Sequence, residues 1–409
     1  MDTRIPVLDG KRIVLGVSGG IAAYKSADLT SRLVRSGAVV DVIMTAAATE
    51  FVRPITFQAL THRPVAVEMF ALLQETEIGH VSLGQRADLM VVAPATANTL
   101  AKLACGLADN MLVTTALACR APILLAPAME SGMWANPATT ANMKTLRDRG
   151  MHVVGPESGR LASGGTGSGR MSEPADILEA CRWVLGRRGP LAGRTVVVTA
   201  GGTREAIDPV RFVGNRSSGK MGFALAAAAR DRGADVILIH APGAGRIPHG
   251  SRGMAVESAE EMRAAVLTAA SGADALLMAA AVADYRPTAP AAQKIKKDGA
   301  TLRLELARTA DILSEVAELR GRSGCPRAVV GFAAETRDVL ANARDKLARK
   351  RLDLIVANDV AAPDSGFEVD TNRVTLLDPS GMAEALPLMS KSEAAERIVD
   401  RLVGLLPPP

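Results

Sequence analysis

Residues 194–222 read RTVVVTAGGTREAIDPVRFVGNRSSGKMG. The β-branched run Val196 to Val198 stops at Gly201–Gly202. A short apolar run bounded by glycines reads as a buried strand that ends in a tight turn. Further on, Ser217–Ser218–Gly219–Lys220 leads into an Ala-rich stretch with helical character. Backbone N–H groups at such a turn and at a helix start, with a lysine beside them, make an anion cradle. This cradle predicts a phosphorylated substrate and a nucleoside triphosphate. Gly214 to Lys220, GNRSSGK, matches the first seven positions of a P-loop. Met221 stands where that motif needs Ser or Thr, and the segment lies well beyond the strand, so a Walker-type ATPase is not expected while a phosphate-binding helix start is.

The same pattern occurs earlier. Gly10 to Gly20 reads GKRIVLGVSGG, again a basic lead-in, a buried-type strand and a Gly–Gly turn. Between the two lies Gly186–Arg187–Arg188–Gly189–Pro190, a polar Gly/Pro linker. We therefore divide the chain into residues 1–188 and 189–409. Apolar runs alternate with Ala-rich helical stretches, near 13–17, 39–44, 88–93, 122–126 and 152–154, then near 195–199, 235–239, 274–280, 328–332 and 353–357. That alternation predicts an α/β chain of two Rossmann-like domains with mostly parallel sheets. Ligands then belong at the C-terminal strand ends. Residues 365–389 read instead as an antiparallel hairpin added to the second sheet.

Composition narrows the function classes. Aromatic residues are only 3%, against a base-stacking nucleic-acid binder. A net charge of +5 suits small anionic substrates. The longest apolar stretch, Ala275 to Ala283, is too short to span a bilayer, and the N-terminus MDTRIPVLDGKR has no signal core. Cys105, Cys119, Cys181 and Cys325 show no CxxC spacing, so neither a disulfide framework nor a zinc site is expected. The expectation is a reduced, cytoplasmic protein with no membrane and no nucleic-acid partner.

In the first half, four strand ends carry small or polar residues: Ser18–Gly19–Gly20, then Thr45, then Pro94–Ala95–Thr96 with Asn98, then Met129–Glu130. Any one of these fits a plain turn; together they predict a ligand site. His80, in GHVSL, is either a surface or capping histidine or a general base.

GVSGGIAAYK, GHVSL, PATANT, ADNML, PAMESGMW and the glycine-rich Gly159-to-Met171 segment resemble the flavin-containing cysteine decarboxylases over about residues 8–185. The resemblance implies a flavodoxin-like fold and FMN held by Ser18, Gly19, Gly20, Thr45, Pro94, Ala95, Thr96, Asn98 and Met129, at a subunit interface of a trimer. It also implies that His80 acts on the cysteine end of 4′-phosphopantothenoylcysteine. A flavin makes chemical sense there. A thioaldehyde stage puts a C=S group two bonds from the carboxylate, where it accepts the electrons as CO2 leaves. Two positions depart from the family. Glu130 replaces the Asn of PxMNxxMW, and Ser163 replaces a flap cysteine, although serine is a far weaker acid than cysteine.

In the second half, Asp284 ends the strand in AAAVADY, and Lys294–Ile295–Lys296–Lys297 follows, either a solvated basic run or a loop closing on an anion. Lys346 and Lys350 share a helical face, either an ordinary basic helix or a like-charge pair whose repulsion an anionic ligand would relieve. AGGTREAIDPVR, NRSSGKMG, AAAVADY, KIKK, GFAAET and ANDV, in that order, resemble phosphopantothenate–cysteine ligase over about residues 190–405. With the first half, the chain resembles the bifunctional proteins of coenzyme A synthesis. The resemblance implies CTP with Mg2+, an acyl cytidylate formed from 4′-phosphopantothenate, and its displacement by cysteine. Ser217, Ser218, Gly219 and Lys220 would cradle the triphosphate. Asn215 and Lys294 would face the activated carboxylate. Ala279, Ala280, Ala281, Asp284, Ala310, Asp311, Ile312, Leu313, Phe332, Lys346 and Lys350 would contact CTP. The family further implies trimers of the first half joined through dimers of the second, often into a dodecamer. Metal ligands are not specified by the sequence. Glu130 and Ser163 also leave a second reading, a working ligase fused to a flavin-binding oligomerisation module.

Overall fold

Arg12–Val17 (β1), buried from Ile13 onward, lies inside a six-stranded sheet. The computed structural model describes residues 4–69, 79–243, 245–297, 301–335, 338–359 and 369–407. Val39–Met44 (β2), Val65–Ala66 (β3), Leu89–Ala95 (β4), Ile123–Pro127 (β5) and His152–Val153 (β6) complete the sheet in the order β3-β2-β1-β4-β5-β6. Every pairing in it is parallel. Helices cover both faces, so the strands read as continuous apolar runs, and Leu89–Ala95 is buried at every position. The two-residue side-chain period sorts β1 between two cores. Ile13, Leu15 and Val17 pack with Leu29 and Leu33 of the helix Ala23–Arg35. Val14 points the other way, to Met90, Leu112 and Val113. A hairpin follows, Glu157–Arg160 (β7) against Thr166–Arg170 (β8).

This first compact unit ends at Gly186, and the second begins at Arg187. Its central strand is Thr195–Ala200 (β9). Arg204–Ala206 (β10) and Phe212–Gly214 (β11) form a small hairpin directly after the Gly–Gly turn. Asp235–His240 (β12), Arg252–Ala255 (β13), Ala275–Met278 (β14), Tyr285–Pro287 (β15), Leu306–Arg308 (β16), Ala328–Glu335 (β17), Leu354–Asp359 (β18), Thr371–Asn372 (β19), Val374–Leu377 (β20), Ala383–Ala385 (β21) and Met389–Ser390 (β22) follow. The main sheet runs β13-β12-β9-β14-β17-β18-β20-β21. It is parallel as far as β18; β20 and β21 add antiparallel at the edge, where the appended hairpin was expected. Small pairs β15–β16 and β19–β22 lie outside it.

The helix Lys220–Asp231 packs so close to β9 that a Cβ on Gly222 would lie 2.5 Å from Ala200 Cβ. The C-terminal helix Lys391–Leu405 opens on a capping box in which Ser390 and Glu393 satisfy each other's backbone N–H. Among the described residues, no helix is long and apolar enough to cross a membrane.

Candidate functional site

In the first unit, the ends of β1, β2, β4 and β5 surround one cavity of about 980 Å3. Gly19 and Gly20 line it from β1, Thr45 from β2, Thr96 and Asn98 from β4, and Met129 and Glu130 from β5. A Cβ on Gly19 would meet Ala47 Cβ at 2.5 Å, so only glycine lets the two turns approach. The helix Ala23–Arg35 starts at this wall without a side-chain cap, although Ala23 N donates to Gly20 O at 2.9 Å and Lys25 N to Ala22 O at 3.0 Å. Thr45 and Thr96 are spent as helix caps, on Ala48 N and Thr99 N.

Three expected cavity residues sit one layer back. Ser18 is buried; its Oγ donates to Pro94 O at 2.7 Å and accepts from Thr96 N at 3.1 Å. Ser18, Pro94 and Ala95 do not line the cavity: they hold the β1 and β4 turns together. His80 lies in the helix Gly79–Arg86 and likewise is absent from the wall.

The β7–β8 hairpin overhangs the cavity. Its tip, Arg160 to Ser163, lines the wall and carries Ser163 in an exposed turn closed by Leu161 N to Gly165 O at 2.8 Å. Its base is strapped down. Met129 N donates to Gly169 O at 2.9 Å, and the buried Lys25 donates to Met171 O at 3.2 Å and Glu173 Oε1 at 3.0 Å. Gly169 (φ +146°) leaves no room for a side chain, since a Cβ would lie 2.3 Å from Met129 O.

Glu130 caps the short helix Ser131–Ala135. It accepts from Ser131 Oγ and from Gly132 N, both at 2.6 Å. The Ser131 hydroxyl first, then the Gly132 N–H, hold its carboxyl below the ordinary glutamate value. The two hydrogen bonds thus favour the ionised, accepting form of Glu130 near neutral pH. The cavity also has charged members that no local signal announced: Lys102, paired with Asp109 at 2.6 Å, and Arg160 and Arg170. Asp109 and Asn110 fall within ADNML, where Asn110 caps the helix Met111–Ala118.

In the second unit the cradle is built from distant residues. Gly201 (φ +88°) and Gly219 (φ +73°) both adopt backbone that favours glycine, and a Cβ on Gly219 would lie 3.1 Å from Gly201 N. The β10–β11 hairpin loops out and returns Asn215 and Ser217 to Gly202, whose Cβ would lie 2.8 Å from Asn215 O. Asn215 Nδ2 donates to Val282 O at 3.0 Å, and Gly202 bridges Ala281. The side chain of Asp208 is buried and accepts from Val210 N, Arg211 and Ile295 N. The Arg211 guanidinium and those backbone N–H groups hold the Asp208 carboxyl far below the usual carboxylate range. This clasp seats the segment carrying the exposed Lys294 on the hairpin.

A narrow cavity of about 70 Å3 adjoins the cradle. Ser217, Ser218, Gly219 and Lys220 line it with Ala279 and Phe332, and so do Asn358, Asn372 and Lys391, which sequence reasoning missed. Lys220 pairs with Asp370 at 2.5 Å. Lys346 donates to Phe332 O at 2.8 Å. Lys350 pairs with Asp311 and donates to Ser314 Oγ at 2.9 Å. Asp311 caps the helix Ile312–Ser323, while the Ile312 and Leu313 side chains are buried in the core. Any contact those two make to a nucleotide is through backbone. Ala280 N donates to Thr199 Oγ1; Asp284 and Ala310 are exposed. Among the described residues, no cluster of three His, Cys, Asp or Glu is arranged to hold a metal.

Known proteins align with both units. Residues 6–185 match the family described as Flavoprotein, and residues 191–405 match the DNA/pantothenate metabolism flavoprotein C-terminal domain. A protein of Vibrio cholerae is 46% identical over 394 residues, covering 96% of this chain and 98% of its own. One of Bacillus subtilis is 46% identical over 402 residues, and one of Mycobacterium tuberculosis is 48% identical over 416; in each case 98% of both chains is covered. All three carry the name coenzyme A biosynthesis bifunctional protein CoaBC.

Proposed function

The chain belongs to the family of coenzyme A biosynthesis bifunctional proteins, and from that premise we infer the division of labour between its two units. The second unit joins cysteine to 4′-phosphopantothenate at the expense of CTP, and the first decarboxylates the product, 4′-phosphopantothenoylcysteine, to 4′-phosphopantetheine. The observation that carries this reading is the pairing of two strand-end sites on one chain, one roomy and one narrow and cationic.

The first cavity fits FMN. Its volume is at the upper end for a small-molecule site. The crowded Gly19 turn and the uncapped helix start suit a phosphate, and Ile21, Ala47, Met129 and Met133 offer apolar wall to a ring system. Bound FMN would supply the reversible two-electron oxidation of the substrate's CH2–SH carbon. The protein's part is positioning and proton transfer. Glu130, held ionised, accepts from a substrate donor such as the amide N–H, and Arg160 on the hairpin supplies positive charge for the substrate carboxylate. Ser163 overhangs the same space. His80 is off its own chain's wall, which suits a trimer in which it serves a neighbouring copy's cavity.

In the second unit, the backbone N–H groups of Ser217 to Gly219 and the Lys220 ammonium receive the triphosphate. Mg2+ enters with the nucleotide, because that cation is commonly held by substrate phosphates. Lys294 and Asn215 meet the substrate carboxylate. A carboxylate oxygen attacks the α-phosphorus and pyrophosphate leaves. The cysteine amine then attacks the acyl carbon, loses a proton, and expels CMP as the amide forms. We assign a cytoplasmic homo-oligomer, trimers joined by dimers into a dodecamer.

The test is to supply CTP, cysteine and 4′-phosphopantothenate to the purified protein and to seek both product masses by mass spectrometry. Both are expected. Absence of the amide would sink the ligase; amide without loss of CO2 would leave only the flavin-binding module of the second reading.

A further inference from the structure

AIDPVR, residues 206–211, forms the turn of the β10–β11 hairpin. The Asp208 side chain there is fully buried, and a buried carboxylate is tolerated only where it is well paired. Closing the turn uses two of its partners, Val210 N and Arg211 N, both at 2.8 Å. The remaining bonds reach further. Ile295 N, 87 positions away, donates to Asp208 Oδ2 at 3.1 Å. Arg211 donates to the same oxygen through Nε at 2.9 Å and through Nη2, and Nη2 also donates to Ile295 O at 2.8 Å. Ala291 N donates to Ile207 O at 2.9 Å, so a further bond ties the same two segments. Turn closure requires none of the bonds to Ile295; what they fix is the chain beside Lys294. The Ile295 N–H lies in the peptide plane that Lys294 shares, so its bond to Asp208 orients the backbone that projects the exposed Lys294 side chain. A long side chain anchored at its root has less freedom left to lose when substrate arrives.

We propose that Asp208 is a positioning residue of the ligation site, which with Arg211 holds the backbone at Ile295 so that Lys294 meets the substrate carboxylate. The proposal rests on the assignment of Lys294 to that carboxylate. Asp208 acts through Lys294 and does not itself touch the reacting atoms. The AIDPVR turn thereby takes part in activating the acyl group, apart from the phosphate cradle of Ser217 to Lys220.

The experiment compares the full-length protein with Asp208→Asn, Lys294→Gln and the double variant. An amide turns its NH2 toward one of the donors that the carboxylate accepts from, so the clasp opens. Asp208→Asn should lower kcat for CMP release by about 10- to 100-fold, the cost of a misplaced group. KM for CTP, the thermal shift given by CTP and the flavin content should stay those of the parent. The double variant should be no slower than Lys294→Gln alone, because both changes remove one interaction. Parent-like kcat in the folded Asn variant would overturn the proposal. So would additive losses in the double variant or a lost CTP shift, either of which marks a merely structural role. Asp208→Ser, smaller and neutral, is read in the same way if the Asn variant does not fold. Hydrogen exchange of the parent is an independent check: the Ala291 and Ile295 amides should be protected, and exchange of that segment at the rate of an unstructured chain would overturn the proposal. Normal CMP release by Lys294→Gln would strike the assignment of Lys294 and the proposal with it. Failure of the parent to form amide would instead strike the ligase reading and the proposal together.

Discussion

After β1 the chain turns at Gly19–Gly20 and enters its helix almost at once. After β9 it turns at Gly201–Gly202 but first throws out the β10–β11 hairpin, and only then starts the helix at Lys220. The short connection leaves a wide cavity of about 980 Å3 faced by small residues and roofed by a hairpin from elsewhere. The long one brings Asn215 to Lys220 back over the turn and narrows the space to about 70 Å3, with lysines at the wall. Both turns bring backbone N–H groups and a helix start to the end of a central strand, the arrangement on which the proposed phosphate contacts rest. What else the ligand contains is decided by the insertion after the turn and by residues arriving from other strands.

The contrast breaks most completely if His80 works within its own chain. His80→Asn should abolish CO2 release and leave ligation intact. Mixed oligomers made with Gly19→Val, a variant that crowds the flavin turn, should regain decarboxylation; failure to regain any would place His80 outside a shared site. Next in size is Lys294→Gln, which should lower ligation by about 10²–10³-fold, as when one charge-stabilising donor is lost, with flavin retained. Near-normal CMP release would remove Lys294 from the mechanism.

Gly222→Ala puts a methyl against Ala200 and Thr199 O, and should cost the second unit about 1–3 kcal/mol. Calorimetry should show its transition falling while the flavin-linked one stays. A smaller change is expected from Ser163→Cys, since a thiol is the better acid by several pK units; full turnover should rise about two- to fivefold, a modest part of that acidity difference. No change would mean that the last proton comes from elsewhere.

The smallest effect concerns Glu130. Its folded pKa is depressed, so its cap contributes fully above the ordinary glutamate value of about 4.3 and is lost as pH falls through the lower folded value. Melting temperature of the first unit should therefore show no Glu130-dependent titration from about pH 5 to 8. Glu130→Gln should flatten only the acid limb. A Glu130-dependent step near neutrality would contradict an ionised cap.

Much was legible because parallel strands covered on both faces must be apolar throughout. The runs at 13–17 and 195–199 therefore stood out, and strand ends followed from where each run stopped. The in-order motifs likewise announced the family and its two activities. The wall residues were harder. The strand-end position of Ser18 suggests a ligand contact, but its buried hydroxyl is taken by the nearest carbonyl, that of Pro94. The helical spacing of Lys346 and Lys350 leaves open whether an anion meets them, and it does not announce that Lys350 pairs with Asp311, a residue 39 positions away. Lys391 sits in an ordinary amphipathic pattern, and nothing local marks it as buried beside Lys220.

By itself, then, the sequence determined two parallel α/β sheets, their Gly–Gly turns, an appended hairpin and the family, because periodicity and backbone conformation are properties of neighbours along the chain. Only the tertiary structure decided which side chains face each cavity, that Glu130 is an ionised cap, that the β7–β8 hairpin roofs the first cavity, and that Lys391 joins the second. Those outcomes depend on burial and on hydrogen-bond partners far away in sequence, and no local pattern encodes the distance between residues that meet only on folding.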